Sequence, residues 1–321
     1  MEVDVGRKRA VRIFVAGASG AIGRPLIRQL VAAGHDVSGT TRRQERAEEI
    51  RATGAKAVVC DVLDATALET AVAEAAPEVV VNQLTRLPED FNPRTIDYSA
   101  TNRVREEGGG NLMKAALAVG ARRYVTQSIA FIYAPEGDWV KDEEARPFEE
   151  APPPFDEGER AMLAHEREVL GTEGIEGVVL RYGQFYGPGT YYTPGSGSIA
   201  KQVEKRMLPV IGPGTGTSSF IHVEDAASAT VAALDRSGPG IYNVTDDEPA
   251  RVKEWLPIYA EALGAKRPRR VPTWLARLVG GKMAVEFGVN LRGADNAKAK
   301  RELGWRPRYA SWRQGFREAL G

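Results

Sequence analysis

The chain predicts an α/β fold: a doubly wound parallel sheet with helices on both faces and a smaller C-terminal α/β part. Three observations carry this. Apolar runs alternate with helical patterns from the N-terminus to about residue 181. The runs are rich in Val and Ile and mostly do not alternate with polar residues, as in strands covered on both faces. The first run opens directly into Gly17-Ala18-Ser19-Gly20-Ala21-Ile22-Gly23, a glycine-rich junction between a strand and a helix.

Strands are expected near residues 11–16, 36–40, 57–60, 79–82, 123–127 and 177–181. Helices are expected over Ile22–Ala33, Ala65–Ala75, Ala100–Val119 and Phe155–Leu170. Pro135–Asp156, acidic and containing Pro152-Pro153-Pro154, reads as a mobile loop near the site. Residues 182–217 are rich in Gly, Pro, Tyr and Thr, the composition of a long functional loop, with a helix near Ser198–Lys205. A helix over Val223–Leu234 and a strand Ile241-Tyr242-Asn243-Val244 return to the main sheet. Helices near Trp255–Leu263 and Thr273–Val279 follow, and Lys266-Arg267-Pro268-Arg269-Arg270 reads as a solvated turn. The main part is therefore residues 1–181 with 218–245, and 182–217 with 246–321 cap the strand ends and build a substrate pocket.

The chain has 321 residues and zero formal net charge, which argues against a dedicated nucleic-acid binder. Its one cysteine, Cys60, excludes an intramolecular disulfide and reads as a buried strand residue rather than a nucleophile. Three histidines without a His-x-x-x-His pair, and no Cys-x-x-Cys, argue against a metal site. No apolar segment approaches the length of a membrane span. Met1–Arg9 is charged and lacks an apolar signal core, so it reads as a frayed tail and the cytosol is the expected compartment.

A helix N-terminus presents unpaired N–H groups and the positive end of a dipole, and so attracts phosphate. In the opening loop Gly17 permits the tight turn, Gly20 lets the backbone approach a pyrophosphate, and Gly23 lets helix and strand pack closely. Ser19, Ala21 and Ile22 complete this loop. The second strand ends Gly39-Thr40-Thr41-Arg42-Arg43, with no acid for a ribose 2′-hydroxyl. Two guanidinium groups suit a 2′-phosphate instead, so NADP(H) is expected over NAD(H).

The Gly-x-x-Gly-x-x-Gly spacing resembles the short-chain dehydrogenase/reductase superfamily. Later segments resemble its extended branch, the NAD-dependent epimerase/dehydratase type: Leu180-Arg181-Tyr182-Gly183-Gln184-Phe185-Tyr186-Gly187-Pro188-Gly189, Ser219-Phe220-Ile221-His222-Val223-Glu224-Asp225, Ile241–Val244 and Leu303-Gly304-Trp305-Arg306-Pro307. The resemblance covers nearly the whole chain and implies a Rossmann domain. It implies that Asp61 takes the adenine amino group with the Val62 N–H beside it. Gln83 and Leu84 then flank the second ribose, Asn102 is a structural asparagine, and Gln127, Tyr182 and Phe185 lie toward the nicotinamide end. His222 organises its loop rather than reacting. Homodimer contacts through the 100–119 and 155–170 helices are also implied.

The resemblance fails at the chemistry. Most extended members use a Tyr-x-x-x-Lys pair, whose tyrosine exchanges a proton with the substrate oxygen while hydride moves. None of the ten tyrosines here has Lys four residues later. If Glu166 matches the helix glutamate of the family, Gly158 and Met162 stand in the Tyr and Lys places. Aligning Tyr133 with the family's tyrosine after the fifth strand puts Ser128 on the first serine and Ile129 on the usual catalytic one. Ser128, Tyr133, His165 and Tyr186 are the remaining proton-transfer candidates. This makes the chain an atypical member, and three functions stay open: a hydride-moving oxidoreductase acting on a small hydroxyl or carbonyl compound, a cofactor-retaining isomerase, lyase or cyclase, and a non-catalytic NADP-binding sensor. The five Tyr or Phe residues of the loop Tyr182–Thr193 point to a flat or partly apolar substrate.

Overall fold

The computed structural model describes residues 9–92, 96–236 and 238–318, so residues 1–8 of the expected tail lie outside the described residues. The first part of the chain alternates strand and helix: β1 (Arg12–Ala16), α1 (Gly23–Ala32), β2 (Asp36–Thr41), α2 (Gln44–Arg51), β3 (Lys56–Val59), α3 (Ala65–Ala75) and β4 (Val79–Asn82). A long helical segment follows in three pieces: α4 (Ser99–Arg103), a π-helical turn (Val104–Gly108) and α5 (Gly109–Ala118). Then come β5 (Arg123–Ile129), β6 (Val140–Lys141), α6 (Phe155–Gly171), β7 (Glu176–Tyr182), β8 (Gln184–Tyr186), α7 (Ser198–Glu204), β9 (Val210–Ile211), β10 (Thr217–Ser218), β11 (Phe220–His222), α8 (Val223–Ala233) and β12 (Gly240–Val244). The chain finishes with β13 (Ala250–Arg251), α9 (Val252–Ala262), β14 (Arg270–Val271), α10 (Thr273–Val285), a π turn (Glu286–Asn290), β15 (Gly293–Ala294), α11 (Ala297–Glu302) and α12 (Trp312–Glu318).

Seven strands form one parallel sheet in the order β12-β7-β5-β4-β1-β2-β3. Its strands are apolar throughout because both faces are covered. Ile13 and Val15 enter a core with α1 and α8, while Phe14 and Ala16 enter one with α3 and α5. Each of the buried Ile13, Phe14 and Val15 side chains contributes about 1.5–3 kcal/mol. The strand order reverses between β1 and β4, and ligands bind at such a switch point, outside the carboxyl ends of the strands. The expected return of residues 241–244 to the main sheet is observed, with β12 pairing parallel to β7.

Three expectations are corrected. The helix over 100–119 is not uniform: its middle is a π turn ending at Gly108, where an added Cβ would lie 2.8 Å from Val62 Cγ2. The Gly108-Gly109-Gly110 run removes the side chains that would hold regular packing there. Cys60 is buried but lies one residue past β3, and burial pushes its thiol pKa up. The 135–156 segment is tied down rather than loose. β6 pairs with β15, Tyr133 bridges Pro147, and the Glu143 carboxylate accepts the Asn243 N–H at 2.7 Å.

The later segments build a further, aromatic core from Tyr186, Tyr192, Phe220, Trp255, Tyr259, Trp312 and Phe316. Short strand pairs, β8 with β11, β10 with β13 and β9 with β14, stitch it together. Among the described residues no helix is long and apolar enough to cross a membrane.

Candidate functional site

The glycine loop leaves β1 at Gly17, whose φ of +86° an L side chain rarely adopts. A Cβ on Gly17 would lie 2.6 Å from the Gln83 carbonyl, so the loop touches the end of β4 backbone to backbone. A Cβ on Gly23 would lie 2.2 Å from the Gly17 carbonyl. Thr40 and Thr41 support the turn from β2: Thr40 Oγ1 accepts the Gly17 N–H at 3.2 Å, and Ser19 Oγ donates to Thr41 Oγ1 at 3.1 Å. The first turn of α1 has no acid, and the Ile22 side chain does not cap it. The cradle therefore leaves room and N–H donors for a pyrophosphate, and the residues fit a dinucleotide. Arg24, which sequence reasoning missed, reaches from α1 to Gly189: a Cβ there would lie 2.7 Å from Arg24 Nη2.

At the end of β2, Arg42 and Arg43 are exposed and make no side-chain ion pair among the described residues. Asp36, at the other end of the strand, is 3.1 Å from Lys56. Asp61 is exposed, with one carboxylate oxygen accepting the Leu63 N–H at 3.1 Å. Val62 is buried under Gly108. The loop after β4 is held from several sides. Asn82 Oδ1 accepts the Leu84 N–H at 3.0 Å, Gln127 Nε2 donates to the Leu84 carbonyl at 2.7 Å, and Gln83 Nε2 donates to Tyr182 Oη at 3.0 Å.

Tyr182 closes β7. It is fully buried in β7, its hydroxyl shared between Gln83 and Thr230, so it supports the loop from beneath. Phe185 is half-buried against its ring at 5.3 Å. Asn102 is buried beside Gly158, where a Cβ would lie 3.5 Å from Asn102 Oδ1. Met162 packs among Ala130, Ile132, Tyr133 and Leu163.

The structure ties the four proton-transfer candidates into buried contacts. Ser128 Oγ donates to Glu166 Oε1 at 2.5 Å, and the same carboxylate is gripped by Arg181 through Nε at 2.9 Å and Nη2 at 2.5 Å. Arg181 Nη1 donates to Tyr133 Oη at 3.2 Å, which itself donates to Asn243 Oδ1 at 2.6 Å. Burial pushes the Tyr133 phenol up to about 12, although Arg181 opposes the rise, so it stays protonated at neutral pH. His165 faces the underside of the long helical segment, its Nε2 3.3 Å from Asn82 Nδ2 and 3.2 Å from Thr126 Oγ1. Tyr186 is fully enclosed against Phe220, His222 and Phe316, and burial raises its pKa. His222 Nδ1 accepts the Glu224 N–H at 3.2 Å and caps α8.

A slot lies beyond β5, lined by Phe131, Phe148, Phe155 and Phe287 with Met283, Glu286 and Asn290. Sequence reasoning looked for aromatic residues in the 182–193 loop and missed these. They come from separate segments that only the fold brings together, and no local pattern marks them.

The model of the NAD dependent epimerase/dehydratase family matches residues 13–245. A Streptomyces protein named 3-diazoavenalumate denitrifying reductase is 45% identical over 309 residues, covering 95% of this chain and 99% of its own. Among solved structures, UDP-glucose 4-epimerase of Thermotoga maritima aligns with a TM-score of 0.75 at 20% identity, over 96% of this chain and 97% of its own. The Thermus thermophilus UDP-glucose 4-epimerase complex with NAD aligns with a TM-score of 0.70 at 25% identity, over 96% and 97%.

Proposed function

Because the chain belongs to the NAD dependent epimerase/dehydratase family and is an enzyme of that type, we propose that it is an NADP(H)-dependent reductase whose acceptor is a small aromatic diazonium compound. Support for the cofactor preference is the pair Arg42 and Arg43 at the end of β2, exposed and without ion-pair partners among the described residues, where a 2′-phosphate would lie. Gly17, Gly20 and Gly23 would hold the pyrophosphate on the α1 N-terminus. When bound, the reduced nicotinamide supplies hydride.

The observation that carries the substrate class is that the hydroxyls of Ser128 and Tyr133 are held in one buried network and that no Tyr-x-x-x-Lys pair stands beside them. Reducing a carbonyl leaves an alkoxide, which must be protonated, and this is the work of the Tyr-x-x-x-Lys pair. That pair is missing here, and Ser128 and Tyr133 are committed to the Glu166–Arg181–Asn243 network. A diazonium ion needs no proton donor. Its C–N bond breaks, nitrogen departs as N2, and hydride forms the new C–H bond. The positive charge of the ion and the negative charge of the hydride cancel, so nothing remains to be protonated. The 45% identical relative is named for reduction of a diazo compound with loss of nitrogen, which agrees with this balance. The protein's task is then to bind, orient and exclude water, since water is the competing nucleophile.

The test is reduction of benzenediazonium with NADPH deuterated at the transferring position. Benzene carrying one deuterium, formed faster than the uncatalysed decay, is the expected result. Deuterium drawn instead from D2O buffer, or turnover of simple ketones in place of the diazonium, would overturn the reading.

A further inference from the structure

Arg24 stands where a cation is electrostatically misplaced. It lies in the first turn of α1, at the positive end of the helix dipole, and that turn contains no acid. A cation there is disfavoured unless an anion joins it. The residue is only partly exposed, so solvent offsets only part of this cost. One turn further along the same face the arrangement is the ordinary one. Arg28 pairs with Glu224, and Gln29 Nε2 donates to the other oxygen of that carboxylate at 3.0 Å. Glu224 is thereby taken. Among the described residues Arg24 makes no ion pair and no side-chain hydrogen bond. Its guanidinium is placed by Gly189, which has a φ of +81°. A Cβ on Gly189 would lie 2.7 Å from Arg24 Nη2 and 3.7 Å from Ala21 Cβ. The missing side chain lets the 187–189 turn come down onto the glycine loop, with the guanidinium beside that contact.

We infer that Arg24 holds the pyrophosphate of the bound dinucleotide, adding a guanidinium to the N–H groups of the glycine loop. A pyrophosphate carries a negative charge on each phosphate. At the α1 N-terminus it meets the dipole and Arg24 together, and so removes the repulsion between them. The fork of guanidinium donors matches phosphate oxygens. The inference rests on the dinucleotide reading above and deepens it by dividing the recognition in two. Arg42 and Arg43 would read the 2′-phosphate and so tell NADPH from NADH. Arg24 acts on the part that both cofactors share, and sets affinity without selectivity.

The test is calorimetric titration of the full chain with NADPH, NADH and ADP-ribose, the last of which keeps the pyrophosphate and lacks the nicotinamide ring. Arg24→Met keeps the stem and removes the charge. It should weaken all three ligands by about tenfold, the weight of one hydrogen bond to a charged group. Arg24→Lys restores the charge and should recover part of the loss. Added salt should weaken binding to the wild type more than to Arg24→Met, because the variant has one attraction fewer to screen. The Tm of cofactor-free Arg24→Met should not fall below that of the wild type, since the charge it loses opposes the dipole. Unchanged affinity in Arg24→Met would overturn the assignment. So would an Arg24→Lys variant no better than Arg24→Met, or a loss seen with NADPH and NADH but not with ADP-ribose. A wild type that binds none of the three would reject the dinucleotide reading itself. A wild type that binds them, with Arg24→Met binding equally well, would reject the role of Arg24 alone.

Discussion

Around Gly17 and Gly23 the shape is set by backbone: added Cβ atoms would lie 2.6 Å from the Gln83 carbonyl and 2.2 Å from the Gly17 carbonyl, respectively. Across the cleft, the wall of β5, α6 and β7 is set by side chains, with Ser128, Tyr133, Glu166, Arg181 and Asn243 in one buried network. The first region tolerates one residue type at each key position for reasons of space. The second can be rebuilt with different side chains, as long as every polar group finds a partner. A backbone-defined loop therefore keeps its pattern while neighbouring side chains can change, and this chain sets a glycine loop of that kind beside a wall made of one side-chain network.

The sharpest way to break the comparison is to open the network. Glu166→Ala leaves Arg181 buried beside Ser128 and Tyr133 without its carboxylate, which costs about 3–5 kcal/mol. Thermal denaturation should show a fall in Tm on the order of 10 °C. A change of only a degree or two would mean the wall does not depend on this pair. The backbone-defined region is tested by Gly23→Ala, which should cut NADPH affinity by about a hundredfold, or about 2.7 kcal/mol, in calorimetry. Unchanged affinity would mean that helix and loop can separate at no cost.

The same contrast decides what could be read from the chain. The seven sheet strands, α1, α3 and α6 were legible because apolar runs and helical periodicity are local, and so was the glycine loop, whose spacing is its geometry. The absence of the Tyr-x-x-x-Lys pair was legible too. What replaces it was not. His165 was a proton-transfer candidate on the 155–170 helix, but a helix shows several faces, and its side chain packs toward Asn82 and Thr126. Glu286 and the phenylalanines of the slot belong to segments more than 100 residues apart, from Phe131 to Phe287, so only tertiary contacts reveal them. The π turn at Val104–Gly108 was hidden because its residues read as an ordinary amphipathic helix.

A third test concerns a carboxyl inside the wall. Glu159 is buried on α6, and burial pushes its pKa up to about 8, with Glu149 adding to the rise. A raised folded-state pKa means that the folded protein holds this proton more tightly than the unfolded chain. Stability from this group is therefore full below about pH 4.5, declines as pH rises, and is lost above about pH 8. Glu159→Gln should raise Tm by on the order of 5 °C at pH 9 and leave it nearly unchanged at pH 4. An equal shift at both pH values would show that ionisation is not the cause.

At the open end of β2 the expected effect is smaller and selective. If Arg42 and Arg43 hold the 2′-phosphate, replacing both by Ala should weaken NADPH by about tenfold, or 1.4 kcal/mol, because two exposed guanidinium groups would share one phosphate through solvent. NADH affinity should stay the same. Equal loss for both cofactors would locate the effect in the loop rather than in the 2′-phosphate.

The smallest expected effect on turnover comes from the residues that first looked catalytic. Ser128→Ala removes a donor to Glu166, and Tyr133→Phe removes the acceptor for Arg181 and the donor to Asn243. Each leaves buried partners unsatisfied, which costs about 1–3 kcal/mol of stability. If hydride transfer to a diazonium needs no proton, kcat should stay within about threefold of the wild type while Tm falls, because the barrier contains no term from either hydroxyl. A drop in kcat of a hundredfold or more, with Tm unchanged, would reverse the argument. It would make the hydroxyl a proton donor drawn out of the network by substrate, and so point to a carbonyl acceptor. The pair of measurements thus distinguishes a wall rebuilt for packing from one that keeps a concealed acid.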